Sequence, residues 1–283
     1  MYIDLKRAAT FGVAGNFTGH LEQAGEASDF TQVKTKEANA PKALFPTFIP
    51  LPQDFVGQTP KLLSVFPFDE YRIIFPKGEE KLQIEPELAI TFDVQYQDGK
   101  VVSLKPEGFC ASNDCSIRKQ GAKKISEKKN WGASSKGVGS NLIKIDKFET
   151  GGILDRYRIA SFLVRDGVPH VYGEDSAVKD YSYFYQKLID WLIEKLNFQK
   201  NEGPAEEINT YLNEANLPRK ILVSVGATRY TEYGEHNFLQ DGDKSVVVIY
   251  PGDLYTFEEI FHRVSRDNLE EDDISDLIKE VVL

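Results

Sequence analysis

Cysteine is scarce in this sequence, because Cys110 and Cys115 are the only two among 283 residues. Two cysteines are too few for a disulfide scaffold, and no histidines stand near them at zinc-finger spacing, so we expect both to be reduced and structural. Long apolar runs are also lacking, since no stretch approaches the roughly 18 residues of a membrane span. The N-terminus shows no charged-then-apolar signal pattern. We therefore expect a cytoplasmic protein with no membrane partner.

An excess of positive charge is absent as well. The net charge is -10, and no block of lysine and arginine is long enough to follow a phosphate backbone, which argues against a nucleic-acid partner. The 41% hydrophobic and 12% aromatic content is typical of a folded soluble protein. With no internal repeat and no low-complexity linker, residues 1–283 are expected to form a single domain.

The hydrophobic pattern predicts a β-rich chain with few helices. Strands are predicted before the break at Gly15-Asn16 and within 61–105, 157–164, 221–226 and 246–250, with hairpin turns at Asp98-Gly99 and Asp166-Gly167. Helices are predicted from near Thr18, over 183–196, and in the acidic tail 256–283. The prolines in 43–50 favour an irregular segment, and residues 1–60 are a candidate cover for a functional site.

Two carboxylates stand at strand spacing in 84–90. If this stretch is extended, Glu85 and Glu87 share one face, and Leu88 and Ile90 point to the other. A solvated edge strand would give the same pattern, and Pro86 is compatible with that alternative. If the face is buried instead, the carboxylates repel each other unless a cation lies between them. With Asp114 as a third acid, an oxygen-preferring divalent ion is the simplest candidate.

Basic residues are concentrated in 119–141. Lys136 lies in a Ser-Ser-Lys-Gly loop that could bring an ammonium group to an anionic substrate. The other lysines of the segment are expected to be ordinary solvated surface; they are Lys119, Lys123, Lys124, Lys128 and Lys129. His20 would neighbour Gln23 on the predicted first helix, and a surface histidine at a helix start is the alternative reading.

Several motifs in order resemble the fumarylacetoacetate hydrolase superfamily. The matching stretches are Gly15-Asn16-Phe17-Thr18-Gly19-His20, Ala43-Leu44-Phe45, Glu85-Pro86-Glu87-Leu88-Ala89, Asn113-Asp114-Cys115-Ser116-Ile117-Arg118, Lys136 and Phe238-Leu239-Gln240-Asp241-Gly242-Asp243. The family pattern has an opening histidine motif, an E-x-E-L-A strand, an N-D-x-S-x-R segment, a lysine loop and an L-x-x-G-D turn. The order of these matches, rather than any single one, carries the resemblance.

The resemblance implies an α+β, β-rich fold: a mixed β-roll of the fumarylacetoacetate hydrolase C-terminal-domain type with few helices, commonly a homodimer. It implies a Mg²⁺, Mn²⁺ or Ca²⁺ site whose ligands are Glu85, Glu87 and Asp114. His20 and Lys136 would be catalytic, and the substrate, a small carboxylic acid, would meet Arg118, Gly226 and Thr228. The implied reaction cleaves a C–C bond in a 2-oxo or 1,3-dicarbonyl acid, by hydrolysis or decarboxylation, through a metal-stabilised enolate. Enol–keto isomerisation shares that intermediate.

The sequence departs from the family pattern at two places. Many members have glutamate three residues after the histidine, where this chain has Gln23, which can donate a hydrogen bond but cannot take a proton. Glu22 or Glu26 could substitute, although a regular helix would point both elsewhere. The lysine of the family's L-F-x-K segment is missing after Phe45. The alternative function is therefore a catalytically weak homologue that keeps the metal and acid pocket for ligand binding.

Overall fold

Two mixed β-sheets form most of the structure, a computed structural model that describes residues 3–30, 33, 35–119 and 121–283. The strands are β1 (Ala9–Ala14), β2 (Ala43–Phe48), β3 (Arg72–Ile74), β4 (Leu82–Gln83), β5 (Pro86–Gln97), β6 (Lys100–Asn113), β7 (Ser116–Ile117), β8 (Gly137–Val138), β9 (Ile143–Lys144), β10 (Tyr157–Arg165), β11 (Val168–Ala177), β12 (Lys220–Ser224), β13 (Lys244–Pro251) and β14 (Ser275–Val282). The helices are α1 (His20–Gln23), α2 (Ser126–Lys129), α3 (Tyr185–Phe198), α4 (Ile208–Glu214), α5 (Glu232–His236) and α6 (Phe257–Ser265). Short 3₁₀ turns cover Leu5–Arg7, Ala27–Phe30, Lys61–Ser64, Ile153–Arg156 and Val178–Asp180.

The strand order defines the two sheets. The first runs β2-β1-β12-β5-β6-β8, with β9 also paired to β6, and the second runs β11-β10-β13-β14-β3. Strands β4 and β7 form a separate pair next to the start of β5. Pairing is antiparallel except between β1 and β12 and between β14 and β3. The predicted β-rich α+β architecture is confirmed.

The main core joins the two sheets. Leu88 and Ile90 of β5 enter the same buried cluster as Ile159 of β10 and Ile249 of β13. Glu87 and Ala89 alternate with them and project to the opposite face of β5, since side chains alternate along a strand. Pro86 is the first residue of β5, a position where a missing N–H costs the sheet nothing. Because β5 lies between β12 and β6, the edge-strand reading of the carboxylate pair is wrong.

The long β5–β6 hairpin turns at Asp98-Gly99, as predicted. Both residues have positive φ, 50° and 74°, the geometry of a two-residue turn that matches strand twist. Asp166-Gly167 makes the same kind of turn between β10 and β11. The helix predicted over 183–196 is α3, and its Leu188, Leu192 and Leu196 are fully buried.

Two local predictions are wrong. Residues 43–48, expected to be irregular, form edge strand β2, where prolines are tolerated because one side of the strand needs no hydrogen bonds. The tail 256–283 was expected to be helical throughout, but α6 ends at Ser265 and 275–282 form β14. Alternate residues of β14 are buried, including Leu277 and Val281, and pairing with β13 and β3 overrides the local acidic composition.

The cysteines match their expected structural role. Cys110 and Cys115 are free and buried, and burial raises the pKa of both thiols to about 12. Among the described residues, every helix is too short or too polar to cross a membrane.

Candidate metal centre

Three buried carboxyl groups converge at the base of the β5–β6 hairpin. Each of the three acids, Glu85, Glu87 and Asp114, contributes one carboxylate oxygen, and these three oxygens lie within 4.8 Å of one another. Their residues are between 1% and 3% exposed. The structure thus brings together the three acids that the sequence predicted as a ligand set.

Backbone hydrogen bonds fix the first and last of these acids opposite each other. Pro86 pairs with Asn113 at the end of the hairpin. The Glu85 amide donates to Asn113 Oδ1 over 3.1 Å, and the Asp114 amide donates to the Glu85 carbonyl over 3.1 Å. The positions of Glu85 and Asp114 therefore follow from sheet register.

Glu87 accepts a hydrogen bond from the Gly226 amide over 2.7 Å. No cation lies within ion-pair distance of it among the described residues. Burial, and then the carboxylates of Asp114 and Glu85, raise the pKa of Glu87 well above its ordinary value. Of the three acids, Glu87 is therefore the one whose charged form its surroundings favour least.

Cations contact every oxygen of the other two carboxylates. Glu85 Oε1 lies 2.8 Å from Arg118 Nη2, and its Oε2 pairs with the Lys129 ammonium. Asp114 Oδ1 lies 2.7 Å from Lys136 Nζ, and its Oδ2 lies 3.2 Å from Lys129 Nζ. Lys129 thus bridges the two acids.

These contacts shift the pKa values of Glu85, Lys129 and Lys136. Burial would raise the pKa of Glu85, but the charges of Lys129 and Arg118 hold it well below its ordinary value. Burial also opposes the charge on Lys129, yet Asp114 and Glu85 raise the pKa of that ammonium. For Lys136, burial outweighs the attraction of Asp114 and lowers the pKa.

Two lysines expected on the surface are buried. Lys128 and Lys129 are 4% and 3% exposed and belong to α2. Lys128 Nζ contacts Glu26 Oε1 at 2.8 Å and Asp29 Oδ2 at 3.0 Å. The Lys129 ammonium lies 5.2 Å from the centre of the Phe45 ring, beside the segment whose expected lysine is missing. The prediction of solvated surface is therefore wrong for these two residues.

Glu26 also reaches the centre. Helix α1 ends at Gln23, so Glu26 is not constrained by helical spacing. Its Oε1 accepts from Arg118 Nη1 over 2.8 Å. Although burial opposes it, the Arg118 charge lowers the pKa of Glu26. Glu26 anchors Arg118 and Lys128, and Arg118 together with Lys129 and Lys136 contacts Glu85 and Asp114.

His20 faces the same centre from α1. Its Nδ1 lies 2.8 Å from the Thr228 carbonyl, and because a carbonyl can only accept, Nδ1 carries the hydrogen. Its Nε2 lies 3.9 Å from Glu85 Oε1. The Gln23 side chain instead exchanges two hydrogen bonds with the Tyr230 backbone. His20 is thus oriented by Thr228 rather than by Gln23.

The three predicted substrate-binding residues all make internal contacts. Arg118 bonds Gln83 and the Tyr230 hydroxyl in addition to its two acids. The Gly226 amide donates to the Glu87 carboxyl group, and the Thr228 amide donates to the Pro86 carbonyl over 3.1 Å. Substrate contact by these three residues stays a prediction, and in this structure each supports the carboxylates or His20.

A small cavity borders the centre. It measures about 10 Å³ and is lined by residues that include His20, Glu26, Phe45, Glu85 and Lys129. That volume is about the space of one water molecule. Binding of an organic acid therefore requires these side chains to move apart.

The donor set fits a divalent ion that prefers oxygen. Glu85 Oε1 and Asp114 Oδ2 are buried and have no directional hydrogen bond within the described part of the chain, although each faces a cation. Three carboxylates meeting at one point are the ligands that Mg²⁺, Mn²⁺ and Ca²⁺ prefer. The Glu-Glu-Asp group could therefore bind such an ion.

Comparison with protein-family models assigns the chain to a family. A family model, DUF5718 (family of unknown function), matches residues 26–281. The chain belongs to this family. No curated protein matches the sequence.

Solved structures share the fold at low sequence identity. A 2-keto-3-deoxy-D-arabinonate dehydratase complexed with magnesium and 2,5-dioxopentanoate is 16% identical, with a TM-score of 0.53, covering 97% of this chain and 72% of that one. A 5-carboxymethyl-2-hydroxymuconate delta-isomerase from Mycobacterium smegmatis is 14% identical, with a TM-score of 0.51 and coverage of 97% and 78%. A 2-hydroxyhepta-2,4-diene-1,7-dioate isomerase from Mycobacterium marinum is also 14% identical, with a TM-score of 0.51 and coverage of 97% and 74%. The predicted fumarylacetoacetate hydrolase-like fold is confirmed.

Sequence reasoning missed Lys128, Lys129 and Tyr230 and expected Glu26 to point elsewhere. One signal could have found Lys129. A buried acidic centre that lacks an expected lysine needs a compensating cation from elsewhere in the chain. The lysine-rich segment 119–141, which follows Asp114 in sequence, is a source of such a cation. Nothing in the local pattern distinguishes Lys129 from its neighbours as the residue that fills this role.

Proposed function

We propose that this protein is a divalent-metal-dependent enzyme that cleaves a C–C bond, by hydrolysis or decarboxylation, in a small 2-oxo or 1,3-dicarbonyl acid. The convergence of Glu85, Glu87 and Asp114 in a buried site is the observation that carries the proposal. The fold it shares with a dehydratase and two isomerases of small acids supports an enzymatic role. Mg²⁺ is the first candidate, with Mn²⁺ and Ca²⁺ as alternatives.

The carboxylates would hold the ion. When bound, a divalent cation supplies positive charge for the enolate oxygen that develops as the C–C bond breaks. Gly226 holds Glu87 in place through its amide, and Arg118 holds Glu85 through its guanidinium. Lys136 offers an ammonium group beside Asp114 to balance the anionic charge of a carboxylic acid substrate.

His20 is the candidate proton carrier. Since its Nδ1–H is committed to Thr228, its Nε2 keeps a lone pair directed towards the Glu85 side of the centre. An imidazole in this tautomer can take a proton from water or substrate at Nε2. Gln23 is not needed to hold the ring.

A panel of acylpyruvates and oxaloacetate, assayed with Mg²⁺ and with Mn²⁺, tests this function. We expect turnover that is lost in His20→Asn and Glu87→Gln and retained in His262→Asn, a matched change at an exposed histidine. Turnover that survives both site substitutions would contradict the assignment. The homodimer that the family resemblance implies is checked separately by light scattering.

A catalytically weak homologue that binds a metal and an acid without turnover is the second candidate. The cavity of about 10 Å³ and the replacement of the usual glutamate by Gln23 favour it. Metal-dependent acid binding with no turnover of any panel member would support it over the enzyme.

A further inference from the structure

Lys129 occupies an unusual place for a lysine in this centre. Its ammonium pairs with Glu85 Oε2 and lies 3.2 Å from Asp114 Oδ2. Its side chain is 3% exposed. It therefore lies between two carboxylates of the candidate ligand set, where a divalent ion bound to both would also lie.

The four oxygens of Glu85 and Asp114 show why the lysine and the ion would compete. Arg118 takes one oxygen and Lys136 takes another, and Lys129 takes both of the remaining two. A divalent ion needs an oxygen from each acid at roughly 2.0–2.6 Å. At that distance the Lys129 ammonium would be a like charge next to the ion, in a buried site where repulsion is poorly screened.

The charge balance points the same way. The centre holds four buried carboxyl groups (Glu26, Glu85, Glu87 and Asp114) and four cations, of which Lys128, Lys129 and Lys136 are buried and Arg118 has a side chain that is 8% exposed. Counted as formal charges, these groups already balance before any ion enters. An added divalent cation is uncompensated unless an ammonium leaves or an anion enters with it.

We propose that Lys129 is a built-in competitor for the divalent ion, which binds to Glu85, Glu87 and Asp114 by displacing the Lys129 ammonium. This inference rests on the proposed metal site and adds a control of its occupancy. Metal affinity is then weak for the free protein and rises when an anionic ligand offsets the added charge. Lys129 acts on the ligands and is not itself assigned a catalytic step.

Lys128 provides a matched control. It is adjacent in sequence, buried to the same degree and part of the same charge network, but it pairs with Glu26 and Asp29 rather than with the ligand set. Loss of either lysine removes one positive charge from the cluster. Only loss of Lys129 frees the oxygens of Glu85 and Asp114.

Calorimetric titration of Mn²⁺ into chelator-treated protein tests the competition. We expect Lys129→Met to bind Mn²⁺ tighter than the parent by roughly tenfold or more, and Lys128→Met to stay within about threefold. Adding Glu87→Gln to the Lys129→Met protein should remove the gain, which locates the ion at the three acids. Equal or weaker binding by Lys129→Met would overturn the competition.

A second measurement uses the parent protein and does not depend on folding of a variant. In crystals soaked with Mn²⁺, the anomalous signal should lie between the three acids, with Lys129 Nζ moved out of contact with Asp114 Oδ2. Manganese at the three acids with Lys129 unmoved would overturn the inference and leave the proposed metal enzyme intact. If neither the parent nor Lys129→Met binds manganese, both the proposed metal site and the competition by Lys129 are contradicted.

Discussion

The carboxylates and the cations of the centre are mounted on different kinds of scaffold. Glu85, Glu87 and Asp114 lie at the base of a hairpin, where strand register and backbone hydrogen bonds set their positions. Lys129 and Lys136 come from the one-turn helix α2 and from the loop before β8. The acids are placed by hairpin register, whereas the Lys129 ammonium reaches them through a long side chain from a helix of only one turn. We therefore expect the positions of the three acids to be more constrained than the position of the Lys129 ammonium.

Removing a fixed acid should have the largest effect. Asp114→Asn leaves Lys136 and one contact of Lys129 without a charged partner in a buried site. We expect the free energy of unfolding to fall by about 3–5 kcal/mol in urea denaturation, because an unpaired buried charge is costly. Asp253→Asn, which breaks an exposed pair with Arg156, should cost no more than about 1 kcal/mol. Equal losses would remove the distinction between the buried and the exposed acids.

Glu87→Gln separates the two jobs of the acids, ligation and charge pairing. Glu87 has no ion-pair partner in the described chain, and a glutamine oxygen can still accept from the Gly226 amide. We expect apparent Mn²⁺ affinity to fall by roughly 100-fold, about 2.8 kcal/mol, with metal-free stability changed by less than about 1 kcal/mol. Calorimetry and urea denaturation on one protein preparation give both values. A large loss of metal-free stability would mean that Glu87 is structural.

Substitution of Glu206 should have the smallest effect, and it tests how helix α2, which carries Lys129, is held in place. This buried residue lies against Ser126 of α2, and burial raises its pKa to about 7. Because the folded state holds this proton more tightly than the unfolded state, the stabilisation is complete below the ordinary glutamate pKa and is lost as pH rises through 7. Between about pH 6 and pH 8 the loss is about 1.4 kcal/mol.

The readout for Glu206 is a difference between variants. Urea denaturation of the parent and of Glu206→Gln at several pH values should show the pH-dependent loss in the parent alone. Glu207→Gln, a change at the adjacent exposed residue, should behave like the parent. A parallel pH profile for Glu206→Gln would show that another group is responsible.

The same contrast explains how much could be predicted from sequence. The acids were predictable because period-two alternation around Glu85 and Glu87 and the Asp98-Gly99 turn define a strand register. Lys129 was not, because lysines are almost always exposed and its burial depends on acids more than ten residues away in sequence. The helix prediction for 275–282 was wrong for a related reason, since the pairing of this segment with β13 and β3 is a tertiary contact. Long-range compensation leaves no local pattern.

Under the proposed function, the three acids form a divalent-metal site for a 2-oxo acid. Calorimetric titration of oxalate, which resembles the enolate of such an acid, into chelator-treated protein with and without Mg²⁺ or Mn²⁺ tests it most directly. We expect oxalate binding that requires the metal, strengthens metal binding in turn and disappears in Glu87→Gln. Oxalate binding that is indifferent to metal, or no binding of metal or oxalate under any condition, would contradict it.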